Sequence, residues 1–336
     1  MVNKKRIVIF TDAWYPQVNG VVTTYINTIQ HIDHERHEVE IIEPSMFTTI
    51  KLPFYKEIGL SIVTRNRIKE IIKRNLDEAP VCRFHIATEG PIGYKAKRVL
   101  DAMHIKYTTA YHTKFPEFIE HITKIPVKYT SWYFDWFHRS AKTVIVSSNS
   151  TAREHPNWNT RVMGKGYDDH FRPDPLKPHQ KNKVKTLLYV GRVSKEKNIE
   201  DFCRIYLPNI NKVVVGDGPD RKRLKKKYPD VHFVGYKFGE LLAEQYRQAD
   251  VFVFPSRTDT YGIVILEAMA CGTPVAAYPV TGPIDQIKNG VNGYTGSNLL
   301  SSVINCMSLS REKVYSTVKD ITWQNAAKEF IQYLEE

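Results

Sequence analysis

The chain has 336 residues, of which 42% are hydrophobic and 25% charged, the composition of a folded globular protein with about two domains. These proportions exclude a disordered chain and a small disulfide-stapled scaffold. A net charge of +12 favours an anionic partner, which leaves phosphates, anionic lipid surfaces and nucleic acids open.

Short apolar runs rich in β-branched residues alternate with segments of helical period, which is typical of parallel sheets built from strand-helix-strand units. Strands are predicted in the first half, with helices in the gaps between them, at 6–10, 38–42, 81–86, 106–111 and 143–146. Strands are predicted in the second half at 186–190, 212–215, 232–234, 251–254 and 274–277. The predicted fold class is therefore α/β, with two doubly wound domains.

The best linker candidate is the segment 170–185, which contains three prolines and little to bury. We place an N-terminal domain at 1–172 and a C-terminal domain at 173–321, each with its ligands at the carboxyl ends of the strands. The segment 322–336 is predicted to form an amphipathic helix that either half can bury, with packing back on the N-terminal domain as the expectation.

The first loop of interest follows the first predicted strand and ends at Asn19-Gly20, where a helix starts. A small, permissive glycine there lets the backbone approach a ligand, and the first helical amides can meet an anion. The alternative is a mere connecting turn.

Residues 124–142 combine aromatic and basic side chains, among them Lys128, Tyr129 and Trp132. A basic aromatic helix of this kind can lie on an anionic bilayer and reach a lipid-linked acceptor. An ordinary core helix is the alternative, and the composition slightly favours it.

Two cations follow the predicted strand at 186–190, in a strand-to-helix loop. Arg192 offers a planar guanidinium that chelates a phosphate, and Lys197 adds a point charge. A solvated loop is the alternative here.

Further along, six of the seven residues in Arg221–Lys227 are basic, and we interpret this cluster as an exposed helix face. Since no nucleic-acid-binding fold signature accompanies it, no nucleic-acid partner is expected.

The most informative stretch runs from 254 to 275, where a buried strand leads into a polar loop and then a helix from about Gly262. The free amides of that helix are expected to face a ligand. Asp259 precedes these amides, and Glu267 lies inside the otherwise apolar helix. Because an unpaired buried carboxylate is costly, Glu267 needs either ligand hydroxyls or a structural arginine.

The four cysteines lie far apart in the sequence, so neither a zinc cluster nor a disulfide framework is expected, and a reducing compartment is the default. The apolar run after the basic start is too short for a signal peptide, and the long uncharged run 268–284 is interrupted by prolines and glycines. We expect a cytoplasmic protein, with peripheral contact at a membrane surface left open.

The acidic pair Asp259 and Glu267, followed by Ala-Met-Ala-Cys-Gly-Thr-Pro-Val, resembles the nucleotide-sugar site of glycosyltransferase family 4. Members of that family are retaining enzymes of GT-B architecture, in which two Rossmann-like domains face a cleft. Further segments match in the family's order, namely the loop 12–22, Tyr111-His112-Thr113, Gly191-Arg192 with Lys197, the turn 215–219 and the segment 231–235. The resemblance covers nearly the whole chain.

The resemblance implies a role for each matching residue. His112 and Asp259 would lie beside the transferred sugar, with Asp259 standing where the family usually has Glu, and Glu267 would bind the ribose hydroxyls. The implied donor-binding residues are Gly20, Arg192, Lys197, Val234, Thr260, Tyr261, Gly262, Ile263 and Glu267. The acceptor-side candidates, in the first domain, are Tyr15, Gln17 and Phe115. No cofactor and no metal site is expected, since the sequence contains no Asp-x-Asp triplet.

We therefore expect a metal-independent, retaining hexosyltransferase that acts on a hydroxyl of a glycan or a lipid-linked acceptor. The opening at 11–22 resembles family members that use GDP-mannose, so mannose is the preferred sugar and UDP-glucose the alternative donor. Two other classes stay open. One is another nucleotide-dependent enzyme such as a dehydrogenase, which the lack of Gly-x-Gly-x-x-Gly after the first strand disfavours. The other is a non-enzymatic basic protein that binds nucleic acid or membrane.

Overall fold

A computed structural model of the chain describes residues 4–17, 19–52, 55–174 and 184–336. It divides into two compact units, Met1–Lys165 with Trp323–Glu336, and Gly166–Thr322. The division falls earlier than the predicted boundary at 172, because Tyr167 and Phe171 pack into the hydrophobic core of the second unit. Most of the predicted linker, 175–183, lies outside the described residues.

Eight strands are described in the first unit: β1 (Lys5–Phe10), β2 (His37–Ile42), β3 (Thr48–Leu52), β4 (Tyr55–Ile62), β5 (Cys82–Ile86), β6 (Thr108–Tyr111), β7 (Thr143–Val146) and β8 (Thr160–Val162). Six of them form a parallel sheet in the order β2-β1-β5-β6-β7-β8. The strand order reverses between β1 and β5, so the carboxyl ends of these two strands flank the crevice where such sheets hold ligands.

Helices cover both faces of this sheet: α1 (Gly20–Gln30), α2 (Arg65–Glu78), α3 (Pro91–Ala102), α4 (Phe115–Thr123), α5 (Val127–Arg139), α6 (Asn149–Glu154) and the C-terminal α14 (Trp323–Glu335), with a 3-10 turn at Pro44–Met46. On one face Phe10 packs with Ile72 and Phe137. On the other, Ile9 packs with Phe330 of α14, so the C-terminal helix completes the core of the first unit. Burial on both faces explains the continuous apolar runs of the central strands.

The second unit repeats this plan with β9 (Lys185–Val190), β10 (Ile210–Val215), β11 (Val231–Gly235), β12 (Val251–Phe254), β13 (Val275–Ala277) and β14 (Gly293–Thr295). Its helices are α7 (Ile199–Cys203), α8 (Arg221–Lys227), α9 (Gly239–Gln248), α10 (Ile263–Ala270), α11 (Pro283–Gln286), α12 (Leu299–Cys306) and α13 (Arg311–Ser316), with a 3-10 turn at Lys195–Lys197. The parallel sheet has the order β11-β10-β9-β12-β13-β14, which reverses between β9 and β12. The predicted α/β class, with two doubly wound parallel sheets, is confirmed.

The sequence missed four strands. The gap between residues 42 and 81, predicted to be helical, contains the antiparallel hairpin of β3 and β4 before α2. Strands β8 and β14 have three residues each and lie at sheet edges, where so short a run carries too little hydrophobic pattern to predict. None of these strands changes the order of the loops that carry the site candidates.

Candidate functional site

The loops after β9 and β12 meet at the point where the strand order of the second unit reverses. The Lys197 ammonium, at the end of the 3-10 turn after β9, donates to Asp259 Oδ1 at 2.5 Å. One residue further, Asn198 Nδ2 donates to the Pro255 carbonyl at 3.2 Å. The loop that carries the two cations and the loop that carries Asp259 therefore lie side by side and are joined by hydrogen bonds.

The second carboxylate oxygen of Asp259 makes no hydrogen bond to the described residues. This oxygen, Oδ2, is buried. Burying an acceptor without a donor costs about 1–3 kcal/mol, so this oxygen is suited to a hydroxyl that arrives with a ligand. On the neighbouring loop the buried Tyr189 hydroxyl donates to the Arg192 carbonyl at 2.8 Å and fixes the backbone that carries the guanidinium.

The turn after β10 packs backbone to backbone on the loop that carries Arg192. The Val193 amide donates to the Asp217 carbonyl at 2.9 Å. A Cβ on Gly216 would lie 2.0 Å from the Gly191 carbonyl oxygen, and one on Gly218 would lie 2.4 Å from the Val193 carbonyl oxygen. Both glycines also have positive φ, so side chains are excluded here on two grounds.

The segment after Asp259 leads into α10 through Gly262, which has φ +84°. Among the described residues no side chain caps this helix start. The neighbouring loop approaches closely, since a Cβ on Gly282 would lie 2.9 Å from the Tyr261 amide nitrogen. Thr260, Tyr261 and Gly262 thus lead directly into the helix that begins at Ile263, and the dipole of that helix favours a negative charge near its start.

Glu267 lies on α10 and accepts a hydrogen bond from the Tyr246 hydroxyl of α9 at 2.8 Å, through Oε2. The partner is therefore a tyrosine, and not the structural arginine considered from the sequence. Burial raises the pKa of Glu267 to about 7, with the Tyr246 hydrogen bond opposing this and the nearby Asp168 charge adding to it. No described side chain donates to Oε1, so one oxygen of Glu267 is left for a ligand.

Val234 lies near the end of β11 and is exposed. Two exposed aromatic side chains follow it, and their rings, Tyr236 and Phe238, stack with centroids 5.9 Å apart. The Gly235 carbonyl accepts from the Gly216 amide at 2.8 Å, which ties this segment to the turn after β10. The exposed flat faces offer a stacking surface beside the loops described above.

His112, in the first unit, follows β6 and is partly buried, with hydrogen bonds to the buried side chains of Tyr25 and Ser147. Its Nε2 lies 3.0 Å from the Tyr25 hydroxyl, and its Nδ1 lies 3.4 Å from Ser147 Oγ. The Tyr25 hydroxyl is also 2.6 Å from His85 Nε2. Burial, with a smaller effect of the Lys165 charge, holds the pKa of His112 well below its usual value, so the imidazole is neutral at pH 7.

The start of α1 differs from the expectation that its first amides are available to an anion. Asn19 Oδ1 accepts from the Val21 and Val22 amides, both at 3.0 Å, and so caps the helix itself. Gly20, between the cap and these residues, is exposed. Asparagine is a common N-cap residue, and here its side chain occupies two of the amides that an anion would otherwise meet.

The acceptor-side candidates divide into two kinds. Tyr15 is exposed, with its ring edge-on to Trp14. Gln17 Nε2 donates to the Asp12 carbonyl at 3.4 Å and so belongs to the local loop structure. Phe115 stacks on Phe134 with centroids 6.2 Å apart and packs against the hydrophobic core, a structural contact.

Sequence reasoning missed two acids at the strand-order reversal of the first unit. The Asp12 carboxylate accepts from the Ile92 and Gly93 amides at 2.8 and 3.2 Å and so caps α3, and burial raises its pKa to about 6. Glu89 is buried with Oε1 3.2 Å from His138 Nε2, and burial raises its pKa to about 8. The signal was available, since Glu89 lies in the short loop three residues after a buried strand and precedes Gly-Pro.

The basic aromatic helix α5 has two faces. Phe134, Phe137 and His138 are buried in the core, as the core-helix interpretation expects. On the opposite face Tyr129 and Trp132 are 60% and 65% exposed. Lys128 lies over the Tyr129 ring, 4.8 Å from its centroid. The helix therefore serves the core and also presents aromatic and basic groups on the surface.

Within the part of the chain that the structure describes, no three His, Cys, Asp or Glu side chains are grouped so that they could hold a metal ion. Likewise, no described helix is long and apolar enough to cross a membrane. The four cysteines are free, and all but Cys82 are buried.

The two halves of the chain match two family models. Residues 18–163 match "Glycosyltransferase Family 4", and residues 171–298 match "Glycosyl transferases group 1". Together with the two Rossmann-like sheets, these matches define a glycosyltransferase of GT-B fold. The chain belongs to glycosyltransferase family 4, and this removes the dehydrogenase and the non-enzymatic binding protein as interpretations of the whole chain.

Relatives with assigned activities are distant. The chain is 24% identical to a GDP-mannose-dependent alpha-mannosyltransferase of Corynebacterium glutamicum, over 99% of this chain and 89% of that protein. It is 26% identical to the Mycobacterium tuberculosis protein of the same name, over 84% of this chain and 81% of that one. It is also 26% identical to sulfoquinovosyl transferase SQD2 of Arabidopsis thaliana, over 87% of this chain and 63% of that one.

Solved structures share the fold. A glycosyltransferase from Rickettsia africae superposes with a TM-score of 0.73 at 15% identity, covering 99% of this chain and 98% of that one. Sucrose-phosphate synthase from Thermosynechococcus elongatus has a TM-score of 0.70 at 17% identity, with 98% of both chains covered. Anabaena HepE, solved with UDP and glucose, has a TM-score of 0.69 at 14% identity, covering 98% of this chain and 99% of that one.

Proposed function

We propose that this glycosyltransferase transfers mannose from GDP-mannose, with retention of configuration and without a metal ion, to a hydroxyl of a glycan or a lipid-linked acceptor. The observation that carries the proposal is the Lys197–Asp259 pair, which leaves Asp259 Oδ2 without a donor beside the Arg192 loop and the start of α10. Three relatives named as GDP-mannose-dependent alpha-mannosyltransferases support the choice of donor.

The cations of the second unit would take over the charge of the leaving group. Arg192 and Lys197 would neutralise the diphosphate as it departs, and the uncapped amides of α10 would bind the distal phosphate. Positive groups in these places would do the work that a divalent ion does in other transferases, which is the physical basis for proposing metal independence.

The carboxylates and the β11 segment would hold the rest of the donor. Asp259 Oδ2 would accept from a hexose hydroxyl, and Glu267 would accept from the vicinal ribose hydroxyls. The nucleobase would lie near Val234, where exposed aromatic faces follow.

His112 would bind the transferred sugar through a neutral imidazole. In the proposed step the bond between the anomeric carbon and the donor phosphate breaks, and the acceptor oxygen attacks from the same face. The acceptor proton passes to the departing phosphate oxygen, so no protein nucleophile is required. A histidine whose pKa is held low by burial suits hydrogen bonding and not proton storage at pH 7.

UDP-glucose remains the second candidate donor. The relatives include proteins named alpha-monoglucosyldiacylglycerol synthase, from Acholeplasma laidlawii and Streptococcus pneumoniae. The stacking surface formed by Tyr236 and Phe238 accepts any base by its flat face, so it favours neither guanine nor uracil.

The exposed face of α5 favours an acceptor at a membrane surface. Tyr129 and Trp132 have the amphipathic rings that lie at a headgroup layer, and Lys128 attracts anionic lipid. The free cysteines agree with a protein that works in the reducing cytoplasm, at the inner side of such a membrane.

The test compares a panel of nucleotide sugars in two measurements. The first is the thermal shift that each one gives the protein, and the second is its turnover with an acceptor extract. GDP-mannose is expected to raise the melting temperature more than UDP-glucose does, and to be turned over at the same rate with and without chelator. The one-bond C–H coupling constant of the anomeric carbon, measured by NMR on the product, reports whether the configuration is retained. A larger thermal shift with UDP-glucose would show that UDP-glucose, and not GDP-mannose, is the donor. A chelator that halves the rate would contradict the proposed metal independence.

A further inference from the structure

Lys165 is a buried cation that the reaction described above does not use. The residue is 3% exposed, and its Nζ has no hydrogen-bond partner among the described residues. A buried ammonium without an acceptor destabilises a fold, because desolvation of the charge is not offset. Groups that are buried at such a cost and shifted in pKa are enriched at functional sites.

The backbone holds Lys165 at the ligand-bearing edge of the first sheet. The Met163 amide donates to the Val146 carbonyl at 2.9 Å, and the Gly164 amide donates to Glu329 Oε2 at 2.7 Å. Lys165 therefore lies just beyond the carboxyl end of β8. His112 and Ser147 directly follow strands β6 and β7 at the same edge, with His112 Nδ1 3.4 Å from Ser147 Oγ.

The charges around Lys165 do not satisfy it. Its ammonium lowers the pKa of His112, so the two side chains act on each other electrostatically. Burial lowers the pKa of Lys165 to about 7, and Glu329 opposes this with its negative charge. The contact recorded for the Glu329 carboxylate is with the Gly164 amide, and no described acid lies within ion-pair distance of Lys165 Nζ.

We propose that Lys165 is an anion-binding residue of the transfer reaction, whose ammonium donates to an anionic phosphate oxygen of a substrate held beside His112. This inference rests on the proposed function. A phosphate oxygen supplies the acceptor that the ammonium lacks, and a charge-assisted hydrogen bond is strong in a water-poor environment. The phosphate has two sources, the diphosphate of the donor and a phosphate carried by the acceptor.

The chain contains a matched control in the same unit. Lys97 is also buried, at 1% exposed, but its Nζ donates to Asp101 at 2.7 Å, to Ser140 at 2.6 Å and to Tyr107 at 3.4 Å. Lys97 is thus a structural lysine with three partners, whereas Lys165 has none described. Removal of each should have opposite consequences for stability and for binding.

The experiment compares Lys165→Met, Lys165→Arg and Lys97→Met in the full chain. Without substrate, Lys97→Met is expected to lower the melting temperature, and Lys165→Met to leave it unchanged or raise it. Calorimetric titration with GDP and the KM for the acceptor then locate the phosphate. We expect Lys165→Met to lose about tenfold or more in one of the two, and Lys165→Arg to recover part of it.

A loss in GDP affinity assigns Lys165 to the donor, and a rise in acceptor KM with unchanged GDP affinity assigns it to the acceptor. Lys165→Met with both values within about twofold of wild type would overturn the proposal, since one charge-assisted hydrogen bond is worth more than that. So would a drop in melting temperature equal to that of Lys97→Met, which would mark Lys165 as structural.

Failure of the proposed function is a separate outcome. If wild-type protein transfers no sugar from any donor in the panel, the function is wrong, and Lys165 is then tested with inorganic pyrophosphate alone. A rise in melting temperature that is reduced in Lys165→Met but kept in Lys165→Arg supports the anion site. An equal rise in wild type and Lys165→Met overturns it.

Discussion

The Lys197 ammonium and Asp259 Oδ1 lie 2.5 Å apart and join the loops that follow β9 and β12. The sequence suggested a phosphate contact for the lysine and a sugar contact for the acid, without relating the two. The two side chains form an ion pair, so each offsets part of the charge of the other. The ion pair fixes the orientation of the Asp259 carboxylate and leaves Oδ2 without a donor. Under the proposed function, this oxygen is the one positioned to accept from a hexose hydroxyl.

The first prediction concerns this pair. Asp259→Asn is expected to lower kcat/KM about 100-fold, the usual effect of losing one charged contact to a reacting group, while the fold persists. Lys197→Met should give a similar loss, and the double variant should lose little more than either, because the two act as one unit. Steady-state kinetics check this, with Asp220→Asn, a partly buried acid paired to Arg223, as the control. Additive losses would show that the residues act independently.

The second prediction is a pH dependence set by Glu267. Burial raises the pKa of this acid from 4.5 to about 7, so the folded state holds its proton more tightly than the unfolded state does. The contribution of Glu267 to stability therefore falls as pH rises from about 4.5 to 7, by at most about 3 kcal/mol. Glu267→Gln removes this term, so its stability relative to wild type should rise over that range in urea titrations.

Donor binding should follow the opposite trend. An ionised carboxylate accepts two hydrogen bonds from a diol, so GDP affinity in wild type is expected to rise as pH passes about 7. In Glu267→Gln the affinity should be lower and lack that rise. A variant that binds GDP with the pH profile of wild type would remove Glu267 from the site.

The third prediction concerns the turn after β10. Gly216→Ala places a Cβ 2.0 Å from the Gly191 carbonyl oxygen at φ +125°, so it should destabilise the protein by more than about 3 kcal/mol and displace the Arg192 loop. Gly239→Ala is the matched control, with φ +53° but nothing within 4 Å of the added Cβ. It should cost about 1 kcal/mol. Equal losses in chemical denaturation would mean that the close approach is unimportant.

The fourth prediction concerns the exposed face of α5. Trp132→Ser should weaken sedimentation with vesicles that contain anionic phospholipid, because an exposed aromatic ring is lost from the surface proposed to face the membrane. The control is Tyr206→Ser, which removes an 83% exposed aromatic side chain from the second unit. Equal binding by both variants and wild type would leave α5 as a core helix alone.

The central strands and their loops were predictable because both faces of each sheet are covered, which produces long apolar runs such as Val251–Phe254. The hairpin of β3 and β4 was not, because Ile50 and Leu60 pair on its exposed side and give no buried pattern. The motif residues pointed to the loops after β9 and β12 one by one, and their side-by-side arrangement came from the structure.

What the sequence did not reveal are the contacts that depend on distant parts of the chain. Tyr246 as the partner of Glu267, and Asp12 as the cap of α3, arise only when separate loops meet. Lys165 looks like any other lysine among 48 basic residues, since its burial is a property of the fold. Buried polar partners are set by tertiary packing, which local pattern does not encode.

The most direct test of the account is a crystal of the protein soaked with GDP-mannose. The account predicts diphosphate oxygens within hydrogen-bond distance of the Arg192 guanidinium and the α10 amides, with the ribose hydroxyls on Glu267. A nucleotide bound elsewhere, with Arg192 and Glu267 not in contact with it, would contradict the account.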